Sequence, residues 1–177
     1  MSEPEKIAVL VIEPAAADDL ALIAGLNVSA YAEFEARLGE AVWVAMRRNL
    51  TAVSEVAGRA EFWIARDEGR LVGSVAYGPA GRNDPALFPP DWAAVLLLAV
   101  DPAARGQGIG RRLTEVCVAR AREDGAAAIG LFTSEAMSAA RSLYQTLGFT
   151  CHAELPRRHG LRYWLYKRDL AGDRPAS

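Results

Sequence analysis

Apolar positions along the chain alternate between short unbroken runs and stripes at helical spacing, the pattern of strands and helices interleaved in one mixed α/β unit. Ile7 to Ile12 is a first apolar run, ended by Glu13-Pro14, and reads as a strand. Asp18 stands where it could cap a helix running through Leu20, Ile23 and Ala24 towards Tyr31. Val42, Met46, Leu50 and Val53 recur at three- and four-residue steps, predicting a second helix that stops at Gly58. Glu61 to Arg66 and Leu71 to Tyr77 read as two strands joined by the turn Asp67-Glu68-Gly69-Arg70, in which Gly69 can take positive φ.

The segment Gly78 to Asp91 is rich in proline and glycine and reads as a loop, long enough to suggest function. Ala93 to Val100 is apolar at every position, as in a strand buried on both faces. A helix with Ile109, Leu113, Val116, Cys117 and Ala121 along one stripe follows, stopped by Gly125. Ala127 to Phe132 is a further strand. A helix from about Ala136 to Leu147 carries Ala136, Ala140, Leu143 and Leu147 on one face, with Gly148 at its C-terminal cap. Strands near Phe149 to Glu154 and Leu161 to Arg168 close the unit.

With 177 residues, 51% of them hydrophobic, the chain suits one domain, expected over 7–169, with flexible ends at 1–6 and 170–177. The net charge is -2 and the basic pairs are scattered, so no nucleic-acid partner is expected. Two cysteines make no disulfide framework, and Ile7 to Ile12 is too short for a signal core or a membrane span. A soluble, cytoplasmic protein without a membrane partner is the resulting expectation. Cys151, His152 and His159 fit no tetrahedral zinc pattern, so no metal is expected, and Cys117 reads as a small core residue.

The most informative segment is Val100-Asp101-Pro102-Ala103-Ala104-Arg105-Gly106-Gln107-Gly108-Ile109-Gly110-Arg111-Arg112-Leu113. A strand ends, glycines and arginine make a turn, and a helix begins. Backbone N–H groups at such a helix start, with glycines allowing close approach, suit a phosphate or pyrophosphate. The spacing departs from the G-x-G-x-x-G dinucleotide fingerprint, and the Gly-Lys-Ser/Thr ending of a Walker loop is absent.

On these residues the chain resembles the Gcn5-related N-acetyltransferases, whose acetyl-CoA signature looks like Val-Asp-Pro-x-x-Arg-Gly-x-Gly-Ile-Gly followed by Arg-Arg-Leu. Two further elements match in order: the hairpin Asp67 to Gly73, and Ala140-Arg141-Ser142-Leu143-Tyr144-Gln145-Thr146-Leu147-Gly148-Phe149. The resemblance covers Ile7 to Asp169. It implies a mixed, mostly antiparallel central sheet of about six or seven strands flanked by about four helices.

It also implies that the N–H groups of Gln107, Gly108, Ile109 and Gly110 hold the pyrophosphate of acetyl-CoA, the cosubstrate. Gly106 belongs to the same loop, Arg105 adds a charge, and Arg111 and Arg112 are candidates for the ribose phosphate. The pantetheine arm would follow Leu98, Ala99 and Val100, where the strand splays from the next. Tyr144 would serve as general acid towards the leaving thiolate, since a thiol titrates near 8.5 and a phenol near 10. The glutamate that many such proteins carry on or just before the central strand, as base towards the amine, is missing; Asp91 and Glu135 are the nearest carboxylates by sequence and the candidate bases. Met137 stands where an asparagine is frequent.

Tyr31, Phe34, Phe88 and Trp92 come from two segments that could line an apolar acceptor pocket; Trp43 reads as packing. The expected activity is acetyl transfer to a primary amine of a small molecule by direct attack. Alternatives are acetylation of protein N-termini or lysines, or a non-catalytic acyl-CoA sensor. The resemblance also allows a homodimer.

Overall fold

The hairpin around Gly69 forms as the turn residues require. The computed structural model describes residues 9–172, and in it β2 (Glu61–Asp67) and β3 (Arg70–Gly78) pair antiparallel with Asp67 opposite Arg70. The two residues between them, Glu68 and Gly69, both take positive φ (49° and 82°), the geometry that matches strand twist in a two-residue turn.

Around this hairpin the sheet has seven strands in the order β1-β2-β3-β4-β5-β7-β6. The others are β1 (Leu10–Pro14), β4 (Trp92–Val100), β5 (Ala128–Ser134), β6 (Thr150–Arg158) and β7 (Leu161–Asp169). All neighbours pair antiparallel except β4 and β5, which are parallel. The helices are α1 (Leu20–Tyr31), α2 (Glu35–Leu38), α3 (Glu40–Thr51), α4 (Val53–Ala57), α5 (Ile109–Glu123) and α6 (Ser138–Thr146). Four of the helices, α1, α3, α5 and α6, have nine residues or more.

Several boundaries differ from the sequence pattern. The first strand is Leu10–Pro14; Ile7 and Ala8 lie outside the described residues, as do the ends 1–6 and 173–177. Asp19, not Asp18, stands at the N-cap of α1; it makes no side-chain cap bond there, and its carboxylate accepts the Ala16 N–H at 2.9 Å in the turn before the helix. The single helix expected to Gly58 is broken at Ala52, and its buried face carries Trp43, Leu50 and Val53, with Val42 only half-buried. Ala136 lies in the turn before α6. Leu170, expected in a loose tail, is buried, and its N–H bonds the Ala127 carbonyl at 3.0 Å.

Helices α5 and α6 cover one face of the sheet, with Ile109, Leu113, Cys117, Tyr144 and Leu147 packed on Ala93, Val95, Ile129 and Leu131. On the other face, Ile23 of α1 and Val53 of α4 pack on Phe62, Ile64 and Ala76. A buried polar link ties this face together: Asn27 donates to the Leu50 carbonyl (3.0 Å) and accepts from Ser74 (3.4 Å). Burial of each large aliphatic side chain contributes roughly 1.5–3 kcal/mol.

Candidate active site

The site begins with a fault in β4. Leu96 opposes Ala76 and Ala99 opposes Ser74, so Leu97 and Leu98 together face Val75. This is a β-bulge, with Leu97 at φ +50°. A non-glycine residue there costs about 1–2 kcal/mol, so surrounding contacts must hold it. One is visible: the Tyr31 hydroxyl donates to the Leu98 carbonyl at 2.9 Å.

The bulge turns β4 away from β5. The two strands pair only through Trp92–Ala94 and Ala128–Gly130, after which residues of β5 continue with β7 alone. From Leu96 to Leu98, and again at Val100, β4 is therefore half-buried, where its apolar run predicted full burial. The open edge at Leu98, Ala99 and Val100 is the wedge expected from the resemblance.

At the end of that edge the chain turns into α5. The Asp101 N–H bonds the Val72 carbonyl (2.8 Å), and its carboxylate accepts from the Ala103 N–H (2.9 Å) and from Arg70 (2.9 Å). Gly106 and Gly108 follow at φ +79° and +76°, their missing Cβ atoms facing open space. The first amide of the helix to find an acceptor is that of Arg112, on the Gly108 carbonyl at 3.1 Å. The amides of Gln107, Gly108, Ile109, Gly110 and Arg111 have no internal acceptor among the described residues. Unpaired amides at the positive end of a fifteen-residue helix, beside two glycines, form a cradle for an anion.

Side chains around the cradle are placed differently from the expectation. Arg105 turns towards α1, donating to the Ala30 carbonyl (2.8 Å) and pairing with Glu33 (2.8 Å). Its charge is thus committed to the end of α1. Arg111 donates to Thr146 Oγ1 at 2.8 Å, joining α5 to α6. Gly110 serves packing as well as clearance, since a Cβ there would lie 3.3 Å from Leu143 and 3.7 Å from Val100.

Tyr144 of α6 is buried on the face of the sheet that α5 also covers, its ring 5.9 Å from that of Phe149. Burial pushes its phenol well above the ordinary range, and the Tyr31 phenol is near enough to add to the shift. Tyr31 itself is pushed up to about 12 by desolvation, partly offset by Arg105, with Tyr163 a further contributor. Tyr31, Tyr144 and Tyr163 therefore share one electrostatic neighbourhood. Neither suggested carboxylate joins it cleanly. Asp91 precedes β4 at the end where β4 and β5 are still paired, its carbonyl holding the Ala127 N–H. Glu135 follows β5 and is occupied by the Arg162 N–H at 2.9 Å. Met137 packs its sulfur 3.7 Å from Thr133 Oγ1.

The four aromatic residues expected around an acceptor separate into two groups. Tyr31 and Phe34 stay together, ring centroids 6.0 Å apart. Phe88 and Trp92 are buried with Ala94, Ala128 and Leu165, their rings within 3.2 Å of where a Cβ on Gly130 would stand. Phe132 and Tyr163 were not singled out from the sequence. Their centroids lie 6.4 Å apart, and Phe132 is 36% exposed with Arg158 over its ring. Period-two alternation on β5 and β7 could have flagged their shared face, though not its neighbours. Among the described residues no helix is long and apolar enough to cross a membrane, and no cluster of metal-binding side chains forms.

Residues 27–149 match the acetyltransferase (GNAT) family. The mycothiol acetyltransferase of Geodermatophilus obscurus is 35% identical over 113 residues, 63% of this chain and 35% of that protein. Human N-acetyltransferase 8B is 38% identical over 88 residues, 50% of this chain and 37% of that protein. The chain thus spans well under half the length of these relatives. The PaiA N-acetyltransferase of Thermoplasma acidophilum, solved in complex with coenzyme A, shares the fold at TM-score 0.69 and 16% identity, covering 92% of this chain and 99% of that one.

Proposed function

Since the chain belongs to the acetyltransferase (GNAT) family, we propose that it transfers an acetyl group from acetyl-CoA to a primary amine of a small molecule by direct attack. The observation that carries this reading is the continuity of the open β4 edge, from the unpaired amides of α5 to the neighbourhood of Tyr144. The residues present fit the cosubstrate: an anion cradle stands at one end and unpaired strand backbone beyond it.

In this reading the amides of Gln107 to Arg111 hold the pyrophosphate, with Arg111 and Arg112 flanking it. Gly106 and Gly108 leave the room that approach requires. Backbone groups of Leu98, Ala99 and Val100 pair with the amides of the pantetheine arm. Acetyl-CoA supplies a thioester, whose carbonyl carbon is the electrophile. Tyr144 stays protonated and donates a hydrogen bond to the sulfur as it becomes a thiolate. The amine nitrogen gives its surplus proton to water, because neither Asp91 nor Glu135 is free and close. The ring pairs Tyr31–Phe34 and Phe132–Tyr163 favour a small acceptor with apolar character over an extended peptide.

The test is a panel of primary amines assayed for free thiol release: phenethylamine, tryptamine, L-phenylalanine, glucosamine, spermidine and an alanine-initiated peptide. Turnover with at least one of the small amines is expected. Calorimetry should show acetyl-CoA binding that Gly108→Trp abolishes. Binding that survives this substitution, or turnover with the peptide alone, overturns the reading.

A further inference from the structure

Resting on that acetyltransferase reading, we propose that Tyr31 orients the attacking amine, its phenol oxygen accepting a hydrogen bond from an acceptor N–H. Tyr31 is the last residue of α1, and its hydroxyl donates at 2.9 Å to the Leu98 carbonyl, on the unpaired stretch of β4. A phenol has one hydrogen. With that hydrogen committed to Leu98, the oxygen offers only lone pairs to whatever approaches. Donation to a carbonyl also polarises the hydroxyl and strengthens it as an acceptor. Burial holds the phenol protonated, pushed up to about 12, so this direction of the bond persists through any working pH.

Tyr31 is near enough to Tyr144 to raise its phenol and to Tyr163 to feel its charge, and its ring lies 6.0 Å from that of Phe34. Arg105, whose charge acts on Tyr31, is paired with Glu33 at 2.8 Å. Neither candidate carboxylate stands here: Glu135 accepts the Arg162 N–H, and Asp91 precedes β4 at the end still paired with β5. Tyr144 and Tyr31 thereby divide the work: one donates to sulfur, the other accepts from nitrogen. In the reaction the N–C bond forms and the C–S bond breaks. Nitrogen releases a proton to water, sulfur takes one up, and Tyr31 ends unchanged.

The experiment compares Tyr31→Phe with the wild type, using phenethylamine and the other amines of the panel. Loss of one hydrogen bond should raise the amine KM roughly tenfold and lower kcat. Tyr31→Phe also frees the Leu98 carbonyl, so acetyl-CoA affinity is read beside it by calorimetry and should fall by clearly less than the amine KM rises. A residue that only holds the bulge would change acetyl-CoA affinity and amine KM by the same factor. An unchanged amine KM, or a parallel fall in acetyl-CoA affinity, overturns the inference while leaving the acetyltransferase reading intact. A wild-type protein that acetylates no amine fails the reading, and the inference with it. A second measurement needs no variant: N,N-dimethylphenethylammonium retains one N–H and should inhibit roughly tenfold better than phenethyltrimethylammonium, which has none. Equal inhibition overturns the assignment.

Discussion

Gly73→Ala tests whether the anion cradle is held in place from behind. A Cβ on Gly73 of β3 would lie 2.7 Å from Ile109 Cγ2, 3.0 Å from Leu113 Cδ1 and 3.4 Å from the Ala65 Cβ. Carbon atoms rest about 3.5–4.0 Å apart, so the start of α5 must retreat by about 1 Å. Ile109 and Leu113 are 2% and 0% exposed, which leaves them no free volume to turn into. Overpacking of this kind costs about 1–3 kcal/mol. For a chain of this size that is a fall in Tm of roughly 3–10 °C. Ile109 is also the first residue of α5, so the retreat displaces the unpaired amides themselves. Acetyl-CoA affinity should fall about tenfold, since the amides no longer converge on one anion. Thermal melts with and without acetyl-CoA, together with calorimetry, measure both quantities. Gly69→Ala is the control: its φ of +82° makes alanine strained, but no heavy atom lies within 4 Å of its Cβ, so it presses on nothing in α5. It should lower Tm without touching affinity. If Gly73→Ala melts lower yet binds acetyl-CoA as wild type does, the seat of α5 does not set the cradle and the reasoning fails.

Other expectations follow from the same structure. Tyr144→Phe should lower kcat by about 100-fold with acetyl-CoA affinity and Tm unchanged, because its hydroxyl bonds no described residue; wild-type kcat would end its role in chemistry. Gly108→Ala meets open space on the protein side, so stability should drop by only about 1 kcal/mol while acetyl-CoA binding weakens at least tenfold; intact binding in calorimetry would refute the cradle. Native protein should react with a thiol reagent at Cys151 alone, since Cys117 is buried and its thiol is pushed up to about 12; two fast thiols would contradict the packing of α5. Tyr31 titrates near 12 when folded and near 10 when unfolded. Its protonated form therefore adds stability that is whole below pH 10 and lost as pH rises through 12. The difference in stability between wild type and Tyr31→Phe should narrow over that range, and a constant difference in alkaline melts would count against the desolvated placement.

Much of this molecule was legible in its one-dimensional pattern because the deciding physics is local. A left-handed turn demands glycine at Gly69, Gly108, Gly125 and Gly148, and each stands at φ above +70°. Helical stripes such as Ile109, Leu113, Cys117 and Ala121 bury the same face in the folded chain. The order of strand, glycine turn and helix was enough to locate the unpaired amides at the start of α5. Tertiary structure alone decided the rest. Nothing in an apolar run marks Leu97 as the bulged residue, since a left-handed leucine is tolerated only when neighbours such as Tyr31 hold it. Arginine spacing could not say that Arg105 would face Glu33, because partners separated by so much chain meet only after packing. The gathering of Tyr31 from α1, Tyr144 from α6 and Tyr163 from β7 has the same origin. Sequence periodicity determines which face a side chain takes, whereas the approach of distant faces depends on how the whole sheet splays and is covered.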